Sequence, residues 1–156
     1  MHKKIFKKLY VHENDIKDNI CIDARTKEEF IIMNYFKNNI PVVNKETHYI
    51  LRKYKIISPL IILLSIIKNN EYIKKELFRL SNNKENTLIF ACSKGKLRSP
   101  SLCIYSRLLG IESYVLRGGI KHHFSEEIQS KYFIDIRNCS IDIKTVENDD
   151  IEKCEY

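Results

Sequence analysis

The stretch that most constrains the fold is Thr87-Leu88-Ile89-Phe90-Ala91, apolar throughout, which runs straight into Cys92-Ser93-Lys94-Gly95-Lys96-Leu97-Arg98-Ser99-Pro100. An uninterrupted apolar strand suits the centre of a parallel sheet, where helices cover both faces. Ser99 and Pro100 read as N-cap and first residue of a helix. Leu102, Tyr105, Leu108 and Leu109 give that helix a buried stripe, and Gly110 stops it. Strand, basic loop and helix in succession are the unit from which α/β sheets are wound.

The rest of the chain repeats the alternation. Ile20-Cys21-Ile22-Asp23 reads as a buried strand. Thr26 with Glu29 three residues on is a capping box opening a helix through Phe36. Ile40-Pro41-Val42-Val43-Asn44 reads as a second strand, followed by a helix over Thr47–Lys55. Pro59 sits in the first turn of an apolar helix, Leu60–Ile67, and Glu71–Leu80 is an amphipathic one. Ser113–Leu116 is a further strand, and Arg117-Gly118-Gly119 turns into a helix near Lys121. The expectation is an α/β sandwich with a mostly parallel sheet and one core, which 156 residues are enough to build.

Charge and cysteines limit the function classes. The net charge of +7 divides into +12 over residues 1–125 and −5 over residues 126–156. A basic body attracts polyanions, and tRNA is the candidate; a merely solvated lysine-rich surface is the alternative. No run reaches the ~20 apolar residues of a membrane helix, and the charged start Met1-His2-Lys3-Lys4 does not resemble a secretory signal. A cytoplasmic protein without a membrane segment is expected. The five cysteines, 21, 92, 103, 139 and 154, form no C-x-x-C and no zinc-ligand spacing with His, so no metal site is expected. Cys21 and Cys103 read as core residues, Cys139 and Cys154 lie in the acidic tail, and Cys92 alone stands where chemistry is expected.

In an open α/β sheet, ligands bind beyond the carboxyl ends of the strands. The amides of Ser93, Lys94, Gly95, Lys96 and Leu97 can curl into an anion-binding nest, and the following helix presents its positive end. Such a setting favours a thiolate at Cys92. Gly95 lets the backbone turn inward, Arg98 adds a cationic fork, and Lys94 and Lys96 raise the local potential. A nucleophilic thiolate in an anion cradle suits transfer of phosphoryl, sulfur or selenium.

The loop Cys92-x-x-Gly95-x-x-Arg98-Ser99 resembles both the phosphatase C-x5-R loop and the active loop of rhodanese-like domains. Three other stretches separate the two. Asp23-Ala24-Arg25-Thr26-Lys27-Glu28-Glu29-Phe30 resembles the rhodanese D-x-R-[ST]-x-x-E-[FY] signature. Ile40-Pro41-Val42-Val43-Asn44, with Glu46 and Tyr54-Lys55, and Leu116-Arg117-Gly118-Gly119-Ile120-Lys121 are similar to segments of the rhodanese half of the tRNA 2-selenouridine synthases. Against that family Lys94 replaces an Arg, Lys96 a Gly, Asn38-Asn39 a Gly-His, and Val42 the Gly usual after Ile-Pro. The resemblance covers residues 9–125 and leaves 126–156 as an acidic C-terminal extension. It implies a rhodanese-like three-layer sandwich and a chalcogen carried on Cys92. It also implies replacement of sulfur by selenium at wobble 2-thiouridine in tRNA through a geranylated intermediate, with selenophosphate as donor and no bound cofactor. Bacterial family members continue into a Walker-A domain, whereas in some archaea the enzyme resembles two separate chains, one rhodanese-like and one nucleotide-binding, and this chain looks like the first. No G-x-x-x-x-G-K-[ST] occurs in these residues, so a separate nucleotide-binding chain is the expected partner.

The remaining residues have plainer readings. Asp23 and Arg25 read as a buried structural pair rather than site groups, since a buried charge needs a partner. Gly118-Gly119 reads as a tight turn that brings a strand end up to the active loop. His122 and His123 have no matching carboxylates and read as surface or packing residues. The alternatives are a thiosulfate- or persulfide-type sulfurtransferase, a C-x5-R phosphatase and a non-catalytic scaffold. The phosphatase reading lacks a general-acid Asp near the loop and the His that usually precedes the Cys, where Ala91 stands.

Overall fold

The computed structural model describes residues 8–12, 19–33 and 35–123. Among them run β1 (Tyr10–Val11), β2 (Ile20–Asp23), α1 (Lys27–Ile32), β3 (Asn38–Asn39), α2 (Lys45–Lys53), α3 (Ser58–Lys68), α4 (Asn70–Leu80), β4 (Leu88–Ala91), α5 (Arg98–Leu108), β5 (Ser113–Leu116) and α6 (Gly119–His123). The strands form one sheet in the order β1-β5-β4-β2-β3, and every pairing is parallel. β4 lies in the middle, with Phe90 opposite Ile22 on one side and Val115 on the other. All four of its residues are buried, the reason it is apolar throughout.

The core gathers Ile22, Ile40, Val42, Leu88, Phe90, Leu102, Ile111 and Val115 with Ile62, Ile66, Ile73 and Leu77 from α3 and α4. α5 packs on β4 and β5 and against α3, which also meets α2 and α4. α3 buries Ser58, Ile62 and Ile66, while Leu60, Leu63, Leu64 and Ile67 remain more than half exposed. No helix among the described residues is long and apolar enough to cross a membrane.

Several boundaries differ from expectation, each for a local reason. The second strand is Asn38–Asn39 rather than Ile40–Asn44. The N–H of Ile40 still reaches Asp23 O at 2.9 Å, but Pro41 has no N–H to continue a ladder. Val42 and Val43 enter the core as loop, and Asn44 caps α2 by accepting from the Thr47 N–H. α1 keeps its capping box but ends at Ile32, not Phe36, because Met33 is extended and its carbonyl accepts from Arg25 Nη2 at 2.5 Å. α5 starts after Leu97, so Ser99 and Pro100 lie inside its first turn rather than at N-cap and N1. Its inner face is Leu102, Cys103, Ser106 and Arg107, and Leu108 is 59% exposed. Arg107 can be buried because Nε donates to Ser113 O at 2.7 Å and Nη2 to Lys8 O at 3.0 Å. β1 is an element the sequence pattern did not reveal. The acidic extension 126–156, with Cys139 and Cys154, lies outside the described residues.

A buried ion pair stands at the carboxyl end of β2. Arg25 Nη2 lies 2.6 Å from Asp23 Oδ2 and Nε lies 2.9 Å from the same oxygen, with the two side chains 4% and 0% exposed. Asn39 Nδ2 donates to the carbonyls of Asp23 and Arg25, and Ala24 N–H reaches Ala91 O at 2.7 Å. The Ala24–Ala91 hydrogen bond holds the end of β2 beside the end of β4, and the pair fixes the backbone just after β2, where the Arg25 N–H also donates to Asp23 Oδ1 at 2.8 Å. Asp23→Ala strands the guanidinium and is expected to cost about 3–5 kcal/mol by urea denaturation, whereas a loss under about 1 kcal/mol would contradict a buried structural role.

Candidate functional site

Cys92 follows the last residue of β4 and is 4% exposed. The Ser99 hydroxyl, in the first turn of α5, donates to its Sγ at 3.2 Å. A hydroxyl expected to cap a helix is therefore turned onto the sulfur, and Leu97 stands at the cap position with no side-chain bond.

The shape of the loop comes from α6. Ile120 N–H donates to Cys92 O and Lys121 N–H to Ser93 O, both at 3.0 Å. In a trans peptide the C=O and the following N–H point opposite ways. Drawing those two carbonyls toward α6 therefore turns the Ser93 and Lys94 N–H groups to the other side of the loop. This close approach needs glycine on both sides. Gly119 has φ +67°, and a Cβ there would lie 2.3 Å from Cys92 O and 2.6 Å from Gly95 N. Gly95 has the same φ, and its Cβ would lie 2.9 Å from Leu116 O. Gly118, at φ +77°, leaves room for His122, whose Cβ would be 2.7 Å away.

Arg98, 7% exposed, is drawn toward α1. Its Nη1 donates to Glu29 Oε2 at 2.5 Å, while Nη2 donates to Glu29 Oε1 at 3.3 Å and to Ser93 Oγ at 3.1 Å. The Ser93 hydroxyl donates to Glu29 Oε1 at 3.3 Å. Burial acts to raise the Glu29 pKa, but the Arg98 bond and charge and the Thr26 N–H outweigh it and hold the carboxyl down at about 2. His48 Nδ1 lies 3.7 Å from Glu29 Oε2. Burial, and then the Arg98 charge, lower its pKa, so at neutral pH the imidazole beside the carboxylate is uncharged. The sequence showed Glu29 as a capping residue and as the E of the D-x-R-[ST]-x-x-E-[FY] stretch, without a place in the site, and gave His48 no role; the 69-residue separation from Arg98 hides the contact.

The structure thus brings together Cys92, Ser93, Gly95, Arg98, Ser99 and Gly119, with Lys94, Lys96 and Leu97 exposed on the loop. Asp23 and Arg25 engage each other and reach the site only through the backbone of β2 and β4. Burial pushes the Cys21 thiol up to about 11 and raises that of Cys103, which bonds Ser113, so both are poor nucleophiles. Among the described residues no cluster of His, Cys, Asp and Glu is placed to hold a metal ion.

Gly119→Ala sets a Cβ against backbone atoms that no rotamer can avoid, in a conformation that costs a side chain strain. It should lose about 2–4 kcal/mol in thermal or chemical denaturation. A variant as stable as the parent would show that α6 does not approach the loop this closely.

No protein-family model matches the chain, and no curated protein matches it. Among solved structures it is similar to one described as the N-terminal domain of an ATP/GTP binding protein from Clostridium difficile 630. That likeness has 19% identity and a TM-score of 0.60, covering 74% of this chain and 96% of that one. A rhodanese-related protein from Thermoplasma volcanium aligns at 18% identity and a TM-score of 0.45, over 76% of this chain and 93% of that one. What the first likeness shows is the fold, a parallel α/β sheet of the kind expected from the sequence.

Proposed function

We propose that Cys92 is a chalcogen carrier and that the chain is the rhodanese-like part of a tRNA 2-selenouridine synthase. The observation that carries the first half is the anchoring of the Cys92 and Ser93 carbonyls by α6, which leaves loop amides free for an anion beside a serine-supported sulfur. In this reading the Cys92 thiolate attacks the outer, zero-valent atom of a thiosulfate, persulfide or perselenide donor. The bond from that atom to the donor's leaving group breaks, its electron pair departs with the leaving group, and Cys92 holds a terminal S⁻ or Se⁻. The negative charge lies where amide N–H groups offer hydrogen bonds at no reorganisation cost. An acceptor nucleophile then takes the outer atom and Cys92 leaves as thiolate.

The second half rests on the stretches at Asp23–Phe30, Ile40–Asn44 and Leu116–Lys121. With it come wobble 2-thiouridine in tRNA as substrate, a nucleotide-binding module as partner, and selenophosphate as selenium donor; its selenium, already at the selenide level, would act as the nucleophile at C2, and the geranylated sulfur would leave C2 as a thiolate. The likeness to a domain of an ATP/GTP binding protein supports that partner. Sulfur transfer from thiosulfate or a persulfide uses the same carrier step and is the second reading.

Incubation with a persulfide or thiosulfate and intact-mass measurement tests the carrier. The parent should gain one chalcogen atom, Cys92→Ser none, and Cys103→Ala should load as the parent does; loading of the Cys92 variant would refute the assignment. Selenouridine formed with the candidate partner separates the two readings. Lys94 and Lys96 are the exposed cations of the loop. Replacing both with Gln should weaken tRNA binding and flatten its salt dependence together, since each phosphate contact releases counterions. No binding by the parent at low salt would remove tRNA contact from this chain.

A further inference from the structure

We propose that Glu29 is the specificity-determining residue of the Cys92 loop: its carboxylate fills the fork of Arg98 that a tetrahedral dianion would otherwise occupy, and so turns the loop from phosphate-type ligands toward the single charge of an adduct on Cys92. This rests on the reading of Cys92 as a carrier.

The spacing from Cys92 to Arg98 is that of a phosphate-binding C-x5-R loop. Such a loop binds phosphate when its guanidinium offers two parallel N–H donors to two oxygens. Here Nη1 and Nη2 already meet the two oxygens of one carboxylate, and Nη2 also meets Ser93 Oγ. The carboxylate is held in place from its own side as well, because Oε2 accepts the Thr26 N–H at 3.1 Å in the capping box of α1. Its low pKa keeps it charged throughout the neutral range. A dianion seated against the guanidinium would have to displace that carboxylate or lie beside it, and like charges in a poorly solvated pocket repel strongly. A terminal S⁻ or Se⁻ on Cys92 carries one charge and needs only the amides that α6 turns away from itself. The phosphate of a donor such as selenophosphate is then left to groups outside the fork, of which Lys94 and Lys96 are the exposed ones on the loop. Arg98 acts as a positioning residue, tying the loop to α1.

Glu29→Gln tests the inference without requiring any transfer reaction. Glutamine keeps the size and the capping-box acceptor while removing the charge. Tungstate and inorganic phosphate are titrated calorimetrically against the parent, E29Q and R98K. E29Q should bind tungstate roughly tenfold or more tightly than the parent, since a like charge beside the fork is gone. R98K, which has no fork, should bind it as weakly as the parent, and this arm stands even if E29Q folds poorly. Equal or weaker binding by E29Q, or a clear loss of tungstate affinity in R98K, would overturn the proposal. Chalcogen loading of Cys92 is read separately on the parent, so failure of the carrier reading and failure of the anion selectivity are told apart.

Discussion

A single carboxylate stands where three parts of the molecule meet. Glu29 accepts the Thr26 N–H that opens α1, two donors from Arg98 at the start of α5, and the hydroxyl of Ser93 in the loop. Few other acceptors could serve, because an ionised carboxylate offers about four lone-pair sites and no competing donor. Removing such a group from water is costly, and the cost is offset only because nearly every site is filled and one partner is a guanidinium. The loop is thereby oriented by charge relative to the β2–α1 segment. The same segment carries the other buried ion pair, Asp23 with Arg25, whose guanidinium also ends α1 by taking the Met33 carbonyl. Seven consecutive residues, 23 to 29, thus set both the length of α1 and the position of the active loop.

The sheet gives those charges a stage. Parallel strands ending on one side place the carboxyl ends of β2 and β4 next to each other, and the Ala24–Ala91 hydrogen bond closes the gap between them. On the other flank, β5 runs into Arg117 and then Gly118-Gly119, and α6 begins directly beneath the loop. The loop is gripped from both neighbours of the central strand: by side-chain charge from the β2 side and by backbone hydrogen bonds from the β5 side.

What could be read in advance follows from these forces. β2, β4 and β5 were legible because a buried strand must be apolar, and the loop was legible because Cys, Gly, Arg and Ser follow one of them. The Gly118-Gly119 turn and the Asp23–Arg25 pair were legible for related reasons: close backbone approach excludes side chains, and buried charge demands an opposite. The misreadings occur where burial and regular structure part company. Ile40, Val42 and Val43 are buried without a ladder, since Pro41 breaks it, while polar Asn38 and Asn39 pair with β2 at the edge. In α5, Ser106 and Arg107 are inside and Leu108 outside, because two backbone carbonyls receive the Arg107 guanidinium. Ser99 serves a sulfur instead of a helix end. The Glu29–Arg98 contact joins positions too distant for any local pattern to link them, so a residue at the centre of the site appeared as a cap and a signature residue, with no partner in the loop.

The α6 grip on the loop separates what the site must keep from what it can change. Its hydrogen bonds go to backbone carbonyls of Cys92 and Ser93, and Gly119 approaches only backbone atoms of Cys92, Lys94 and Gly95, so the frame is indifferent to most loop side chains. Lys94, Lys96 and Leu97 all face solvent. Substitutions at these three places can retune charge and shape around the sulfur while the curvature of the chain stays as it is, whereas a change in loop length would break its register with α6. The architecture therefore channels divergence into three side chains on an invariant backbone, and new acceptors or donors are reached by exchange of residues rather than by rebuilding.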